Sequence, residues 1–322
     1  MANKNLLRIA VLAGGTSRER NISLESGDAV AKSLSDRGHL VTRIDPAHME
    51  LSELDWSTFD VAFLALHGTF GEDGHVQQIL EESGIPFTGS DSVASRLAFS
   101  KSAAKERFVQ NGVPTPAYVL IHESDTAARI QQQANALGFP LAVKPDGQGS
   151  SLGITIVRSP EDLPQALARS FHFDPFGLLE VAIDGTEWTL GVLDGEPLPL
   201  IQIETGRGFF DYTAKYEDDG TQYLFEFPFP TSVIKSIENA GRRAYEALGC
   251  RGLARVDLRV DRFHEPWVLE VNTIPGMTSH SLVPKAAARI GLSLGAICER
   301  SIHNCLNRDP VKSVHQILQP VR

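Results

Sequence analysis

The stretch from Leu253 to Asn272, LARVDLRVDRFHEPWVLEVN, restricts the fold of this chain more than any other. Two runs of alternating apolar and charged residues flank a turn near Phe263-His264, the period-2 signature of strands with one buried face. A hairpin centred on that turn sets Asp257 opposite Glu270 and Arg255 opposite Asn272. All four share one face, and Val256 and Val271 take the other. Two carboxylates directly across a sheet repel unless a cation lies between them. The oxygens of Asp257, Glu270 and Asn272 suit a hard cation such as Mg²⁺, completed by phosphate oxygens and water. A solvated polar face, with Arg255 offsetting the acidic pair, is the plainer alternative. Phe-His is a poor two-residue hairpin turn, so the register rests on the pattern alone. Beyond it, Asn272-Thr-Ile-Pro-Gly-Met-Thr-Ser-His-Ser-Leu282 joins a Pro-Gly turn to small hydroxyl residues. Such a segment offers backbone N–H groups to an oxyanion or carboxylate, or is simply a turn into a helix at 284–290.

Upstream, the pattern changes character. Apolar runs at 7–13, 40–45 and 60–66 alternate with helical stretches at 23–37 and 75–83, which predicts an open parallel sheet covered on both faces. The loops at 14–19 and 67–74, at strand ends, should face one crevice. A second unit begins near Ala98 with a helix through LAFSKSAAKERFVQNG, then strands at 117–121, 141–144 and 153–157 and a helix at 125–137. A third opens near Leu178, with strands at 178–182, 187–193 and 198–203. The expected units are therefore 1–97, 98–178 and 179–322, and a length of 322 residues agrees with two or three cores. The long segment 204–229 has little periodicity, which in a compact protein marks a functional or disordered loop.

Three further segments carry candidate chemistry. Lys144-Pro-Asp-Gly-Gln-Gly-Ser-Ser-Leu-Gly153 delivers a lysine from a strand into a Gly/Ser loop able to wrap phosphate, although such loops are often only connections. It is not a P-loop, because no GKS or GKT closes it and a strand follows. Phe209-Phe-Asp-Tyr-Thr-Ala-Lys-Tyr216 puts a cation and phenols on the long loop, suited to closing over a nucleotide or to packing down as an ordinary surface loop. Gly14-Gly-Thr-Ser-Arg-Glu-Arg20 and His67-Gly-Thr-Phe-Gly-Glu-Asp-Gly74 place Glu19 where it can pair with a substrate ammonium, with His67 or Glu72 to orient it.

The formal net charge of −10 argues against a nucleic-acid partner, which demands basic patches. No apolar run approaches the roughly 18 residues of a membrane span, and the N-terminus lacks the form of a secretory leader. A cytoplasmic location without a membrane partner is the expectation. Cys298 and Cys305, with His303 nearby, are read as core thiols rather than a metal site.

Taken together and in order, HGTFGEDG, KPDGQGSSLG, DYTAKY and LEVNTIPGMTSHSLVP resemble the motifs of the D-alanine–D-alanine ligase family, over nearly the whole chain to about residue 305. The resemblance implies an α/β, three-domain ATP-grasp fold whose N-terminal domain is an open parallel sheet. It implies a reaction: ATP phosphorylates one D-alanine carboxylate, and the amine of a second D-alanine attacks the acyl phosphate, giving a peptidoglycan precursor. ATP as co-substrate, two Mg²⁺ (or Mn²⁺) ions and a homodimer come with it. Carried over by position, Lys101 and Lys144 meet ATP phosphates, joined by Lys215 when the loop closes, and Glu180 and Glu187 meet adenine amine and ribose. Asp257, Glu270 and Asn272 hold the metals. Arg255 and the Gly276 N–H stabilise the oxyanion. Glu19 holds the first ammonium, Ser281 and Leu282 the second carboxylate, and Glu19, Ser150 and Tyr216 form a hydrogen-bonded trio. Val181, Phe210 and Ser100 depart from the family's commoner lysine, tyrosine and aspartate. Rival readings are a ligase with another second substrate such as D-lactate, and a nucleotide-gated binding protein without turnover. The latter should lack metal ligands or Arg255, and all are present. Tyr216 favours an amine nucleophile, hence a dipeptide.

Overall fold

A computed structural model describes residues 6–205 and 220–307. Three sheets organise them. The first contains β1 (Arg8–Leu12), β2 (Leu40–Ile44) and β3 (Val61–Leu64) in the order β2-β1-β3, all parallel. Helices α1 (Arg20–Ser35) and α2 (His75–Ser83) follow β1 and β3. Alternation sorts its residues cleanly between two cores. Ile9, Val11, Val61 and Phe63 pack with α1, and Ala10, Leu12, Ala62 and Leu64 pack with Leu51, Trp56, Val76 and Leu80, so both faces are covered as a parallel sheet requires.

The helix expected through Ala98 is two helices. After α3 (Ser92–Phe99) the backbone extends at Ser100 (φ −77°, ψ 112°), whose hydroxyl caps the N-terminus of α4 (Lys101–Gln110). Ser100 also donates to Asp146 (2.8 Å), and that carboxylate accepts from the Ser102 N–H (2.7 Å). Capping of this kind satisfies orphan helix donors, and it explains how serine serves at position 100.

The second sheet is antiparallel, in the order β4-β7-β5-β6, from β4 (Tyr118–His122), β5 (Leu141–Pro145), β6 (Thr155–Val157) and β7 (Phe176–Val181). Helices α5 (Ala127–Leu137) and α6 (Leu163–Phe171) cover one face, packing on Leu141, Val143 and Leu179. Residues Ala142, Lys144, Leu178 and Glu180 share the other. The strand read from sequence at 178–182 as the opening of the third unit thus belongs to the second sheet, where β7 pairs with both β4 and β5.

The third sheet runs β11-β10-β8-β12-β13, built from β8 (Gly185–Leu193), β10 (Ile201–Glu204), β11 (Gln222–Leu224), β12 (Leu253–Asp261) and β13 (Pro266–Asn272), with β9 (Glu196–Pro197) pairing β8. The long segment after residue 203 is therefore not loop throughout, because β11 folds back on β10. Trp188, Leu190, Val256 and Val271 pack on α4 and on α7 (Thr231–Ala247). Short helices α8 (Leu282–Ala288) and α9 (Leu294–Leu306) close the described chain. Their apolar residues Val283, Ala286, Ile297 and Ile302 join the core of the first sheet.

Candidate active site

The hairpin expected at 253–272 forms with the expected partners: Arg255 faces Asn272, Val256 faces Val271 and Asp257 faces Glu270. The turn is longer than two residues. Asp261 accepts from and donates to Glu265, and His264 adopts the left-handed conformation (φ 65°), the way a three-residue hairpin loop closes. An irregularity between Asp257 and Leu258 then shifts the pairing, so that the sequence-centred register holds only at the end carrying the polar residues.

That polar end opens into a cleft with ≈ 650 Å³ of empty space, solvent at its mouth included. Loops from all three sheets meet there. Glu19, His67 and Glu72 come from the first, Lys101 from the start of α4, Ser150 from the β5–β6 loop, and Arg255, Glu270, Asn272 and Gly276 from the third.

The negative side of the cleft is built around Glu19. Its carboxylate accepts from the Ser150 hydroxyl and is pressed between two glycines: a Cβ at Gly68 or Gly149 would lie 2.7 or 2.8 Å from its Oε2. Ser150 and its neighbour Ser151 both hold positive φ (50° and 57°), a conformation that costs a non-glycine residue about 1 kcal/mol. Outliers of this kind gather at functional sites. Behind Glu19, the Gly68 N–H donates to Glu72 (2.7 Å). Burial first, and the nearby Glu19 second, push the Glu72 carboxyl well above its ordinary range.

His67 is buried, and burial drives its pKa down to about 4 against the pull of a hydrogen bond with the Ile274 backbone. Ser26 Oγ accepts from the Met277 N–H (3.2 Å) and lies 3.0 Å from His67 Nε2. With the Ser26 hydroxyl proton directed at Nε2, the ring is neutral and protonated at Nδ1. The chain Met277–Ser26–His67–Ile274 fastens the 272–278 loop to the first sheet. Asn272 Oδ1 accepts from the Ile274 N–H, and Ser281 Oγ accepts from that of Thr278. Gly276, between these anchored amides, lines the cleft. A Cβ there would lie 2.7 Å from Ser281 Oγ.

On the positive side, Lys101 Nζ donates to the Gln148 carbonyl (2.6 Å) and lies 3.3 Å from Glu270. Arg255 engages Asp257 through Nε and Nη2 (2.9 and 2.8 Å), and the Thr189 hydroxyl donates to the same carboxylate (2.7 Å). The opposed carboxylates thus have protein cations beside them. Among the described residues no three His, Cys, Asp or Glu side chains group as a metal cage, and the third oxygen donor of this set is the amide of Asn272. An all-oxygen set of two carboxylates and an amide fits a hard divalent cation.

Several of the expected residues stand apart from that cleft lining. Lys144 is buried, donating to Glu180 Oε1 (2.6 Å), and Glu187 on β8 pairs with Arg259 (3.4 Å). Ser281 bonds within its own loop, and Leu282 is buried at the start of α8. The Val181 N–H is taken by the Ala117 carbonyl (2.9 Å). Lys215, Tyr216 and Phe210 lie outside the described residues. Cys298 is core, its thiol pushed up to about 12 by burial, Cys305 is likewise buried, and His303 bonds the Glu299 carbonyl. The buried Lys105, which contacts Glu180, is not singled out by any motif. Its spacing of four from Lys101, on a helix, is the one sequence signal that points to it.

The model of the D-ala D-ala ligase N-terminus matches residues 46–90, and that of the C-terminus matches residues 108–303. The D-alanine–D-alanine ligase of Syntrophotalea carbinolica is 43% identical over 91% of this chain and 94% of its own length. The chain belongs to the D-Ala–D-Ala ligase family. Among solved structures, the D-alanine–D-alanine ligase of Bacillus anthracis superposes with a TM-score of 0.83 at 34% identity, covering 93% of this chain and 97% of that one. The same enzyme complexed with ATP gives 0.81 at 32% identity, with the same coverage. The VanG D-Ala:D-Ser ligase of Enterococcus faecalis also gives 0.81, at 30% identity, covering 94% of this chain and all of that one. The family's fold is the three-sheet ATP-grasp arrangement described above, and no helix among the described residues is long and apolar enough to cross a membrane.

Proposed function

We infer that this ligase joins two D-alanines into D-alanyl-D-alanine with ATP, acting in the cytoplasm as a homodimer. The observation that carries the reading is the single cleft in which Glu19, Lys101, Arg255, Glu270 and Gly276 converge. In the reaction a carboxylate oxygen of the first D-alanine bonds to the γ-phosphorus, ADP leaves, and the second amine displaces phosphate with loss of a proton.

Each step asks for a charge the cleft can supply. Glu19, buried and fixed by Ser150, pairs with the first ammonium. Arg255 and the Gly276 N–H, both lining the cleft, stabilise the tetrahedral oxyanion, and such donors act most on charge that exists only in the transition state. Ser281 and Leu282 border the second substrate's carboxylate. Lys101 and Lys144, with Lys215, meet the phosphates, and Glu180 and Glu187 the adenine amine and ribose. Asp257, Glu270 and Asn272 would hold Mg²⁺, which spreads the charge of the transferring phosphoryl oxygens. Holding both amino acids in line makes the attack effectively intramolecular, and His67 keeps the 272–278 loop in register without adding charge. Tyr216, completing the trio with Glu19 and Ser150, favours an amine as nucleophile. D-Alanine's ammonium must lose a proton to attack, whereas the D-lactate hydroxyl offers no charge to select.

The test is incubation of the purified chain with ATP, Mg²⁺, D-alanine and an excess of D-lactate or D-serine, followed by product separation at pH 7–8. D-Alanyl-D-alanine with matching phosphate release is the expected result. A dominant ester or D-alanyl-D-serine product overturns the choice of second substrate, and no phosphate release overturns the ligase reading itself.

A further inference from the structure

Lys105 is the largest fully buried charged side chain in the described structure, and nothing in the reaction outlined above uses it. Helix α4, which carries it, packs through Ala104 and Phe108 into the core of the third sheet. The side chain leaves that core and crosses to the second sheet, where its Nζ lies 2.5 Å from Glu180 Oε2. It also donates to the Thr115 hydroxyl (2.6 Å) and the Pro116 carbonyl (3.4 Å), with the ammonium 5.5 Å from the centre of the Tyr118 ring. Thr115 in turn donates to the Val268 carbonyl (2.8 Å), and the Val268 N–H donates to Pro114 (2.8 Å). Lys105 therefore ties β7 and the segment leading to β4 to β13, the strand of Glu270 and Asn272.

Glu180 is the point on which this brace acts. One oxygen accepts from Lys144. The other lies 2.5 Å from Lys105, a close charge-assisted contact off the ideal lone-pair direction, so this buried oxygen keeps a lone pair that no other donor among the described residues meets. A buried acceptor with an unspent lone pair is costly unless another donor reaches it. We propose that Lys105 is a positioning residue for the nucleotide, holding the Glu180 carboxylate ionised and aimed across the seam between the second and third sheets so that its open lone pair receives the adenine amine. This rests on the ligase reading and on the role given there to Glu180.

The charges make the arrangement asymmetric. Two lysines share one carboxylate, leaving one positive charge in excess in a low-dielectric setting. When Lys144 turns to a phosphate, Lys105 remains as the counter-ion of Glu180. Without Lys105, Glu180 depends on Lys144 alone and competes with the nucleotide for it. Burial works to raise the Glu180 carboxyl, and Lys144 and Lys105 outweigh it and hold it below its ordinary value. Burial pushes Lys105 itself down to about 8 despite Glu180, so the triad is held by mutual support rather than by solvent.

The test uses Lys105→Met, which keeps the length and removes the charge, and Thr115→Val, which removes the main hydrogen bond of the ammonium. Calorimetry with ADP and Mg²⁺, steady-state KM values for ATP and D-alanine, and melting temperatures are compared with those of the wild type. Lys105→Met should weaken ADP and raise the ATP KM by roughly 10–100-fold, the scale of about 1.4–2.7 kcal/mol, and leave the D-alanine KM within about twofold. Thr115→Val should move the same constants in the same direction by a smaller factor. Adding Glu180→Gln to Lys105→Met should cost less than the two losses combined, because the charges act as a unit. Wild-type ADP affinity in Lys105→Met, or equal losses for both substrates in step with a fall in melting temperature, overturns the proposal. If Lys105→Met does not fold, wild-type nucleotide binding by Thr115→Val overturns it. A wild-type chain that binds ADP and makes dipeptide while the variants behave identically sinks only this inference, whereas one that does neither sinks the ligase reading.

Discussion

Replacing His67 by glutamine should change how the stability of this protein depends on pH, in a direction and by an amount the structure sets. The ring is 5% exposed and held neutral, with a pKa of about 4 against an ordinary value of 6.5. A histidine whose folded pKa is depressed contributes stability above its unfolded pKa and loses it as the pH falls, because the unfolded chain takes up a proton that the folded ring refuses. Every tenfold difference in proton affinity between the folded and unfolded ring is worth about 1.4 kcal/mol, so the loss reaches about 3 kcal/mol once the pH has passed below both values. Between pH 7.5 and 5.0 it amounts to about 2 kcal/mol. Glutamine can still meet the Ser26 hydroxyl but cannot titrate. Urea unfolding at the two pH values should show the wild type losing about 2 kcal/mol more than His67→Gln, whatever other groups contribute to both. Parallel losses in the two proteins would mean that the ring is protonated in the fold, and the neutral hydrogen-bond chain from Met277 to Ile274 would be wrong.

Other positions give sharp expectations. Gly149→Ala sets a methyl 2.8 Å from Glu19 Oε2, so the KM for the first D-alanine should rise by about tenfold or more with ADP affinity unchanged, since a carboxylate held by Ser150 has little room to move; steady-state kinetics decide it. Arg255→Ala should lower kcat by about 10²–10³ and change ATP binding far less, and equal losses in both would make the arginine structural. Glu270→Gln should keep the melting temperature and lose both turnover and Mg²⁺-linked tightening of ADP binding, read by calorimetry with and without EDTA; retained tightening would refute the metal assignment.

The parts of the site that sequence displays best are those fixed by local geometry. Strand alternation puts Asp257 and Glu270 on one face, because side-chain direction in a strand depends only on parity, and the position of the turn then makes them partners. The first sheet is legible for a different reason, its strands β1 and β3 being near-continuous apolar runs, as strands buried on both faces must be. Breaks decided by single hydrogen bonds are less visible. Ser100 lies within a pattern that reads as one helix, and the capping bond with its Asp146 partner forms only after the β5–β6 loop has come round. The placement of β7 in the second sheet is a matter of pairing, which apolar strands do not encode individually. Helix α7 has apolar residues at Val233, Ile234, Ile237, Ala240, Ala244 and Tyr245, a helical spacing that composition-level reading passes over. The Lys144–Glu180–Lys105 contacts join residues that local patterns read only as a loop lysine, a strand glutamate and a helix lysine.

The packing of α9 against the first sheet has a consequence for how the chain is made. Ile9, Val11 and Phe63 share their core with Ile297 and Ile302, at opposite ends of the polypeptide. During synthesis at about 5–20 residues per second, that face emerges early and, with only α1 to cover part of it, waits roughly 12–47 s between the translation of Phe63 and that of Ile297. The first sheet, although continuous in sequence, cannot finish as an independent early folding unit. The interval between the two ends is when nascent-chain chaperones would find their binding site, and a ribosome stalled before residue 290 would hold the chain in that sticky, half-dressed state.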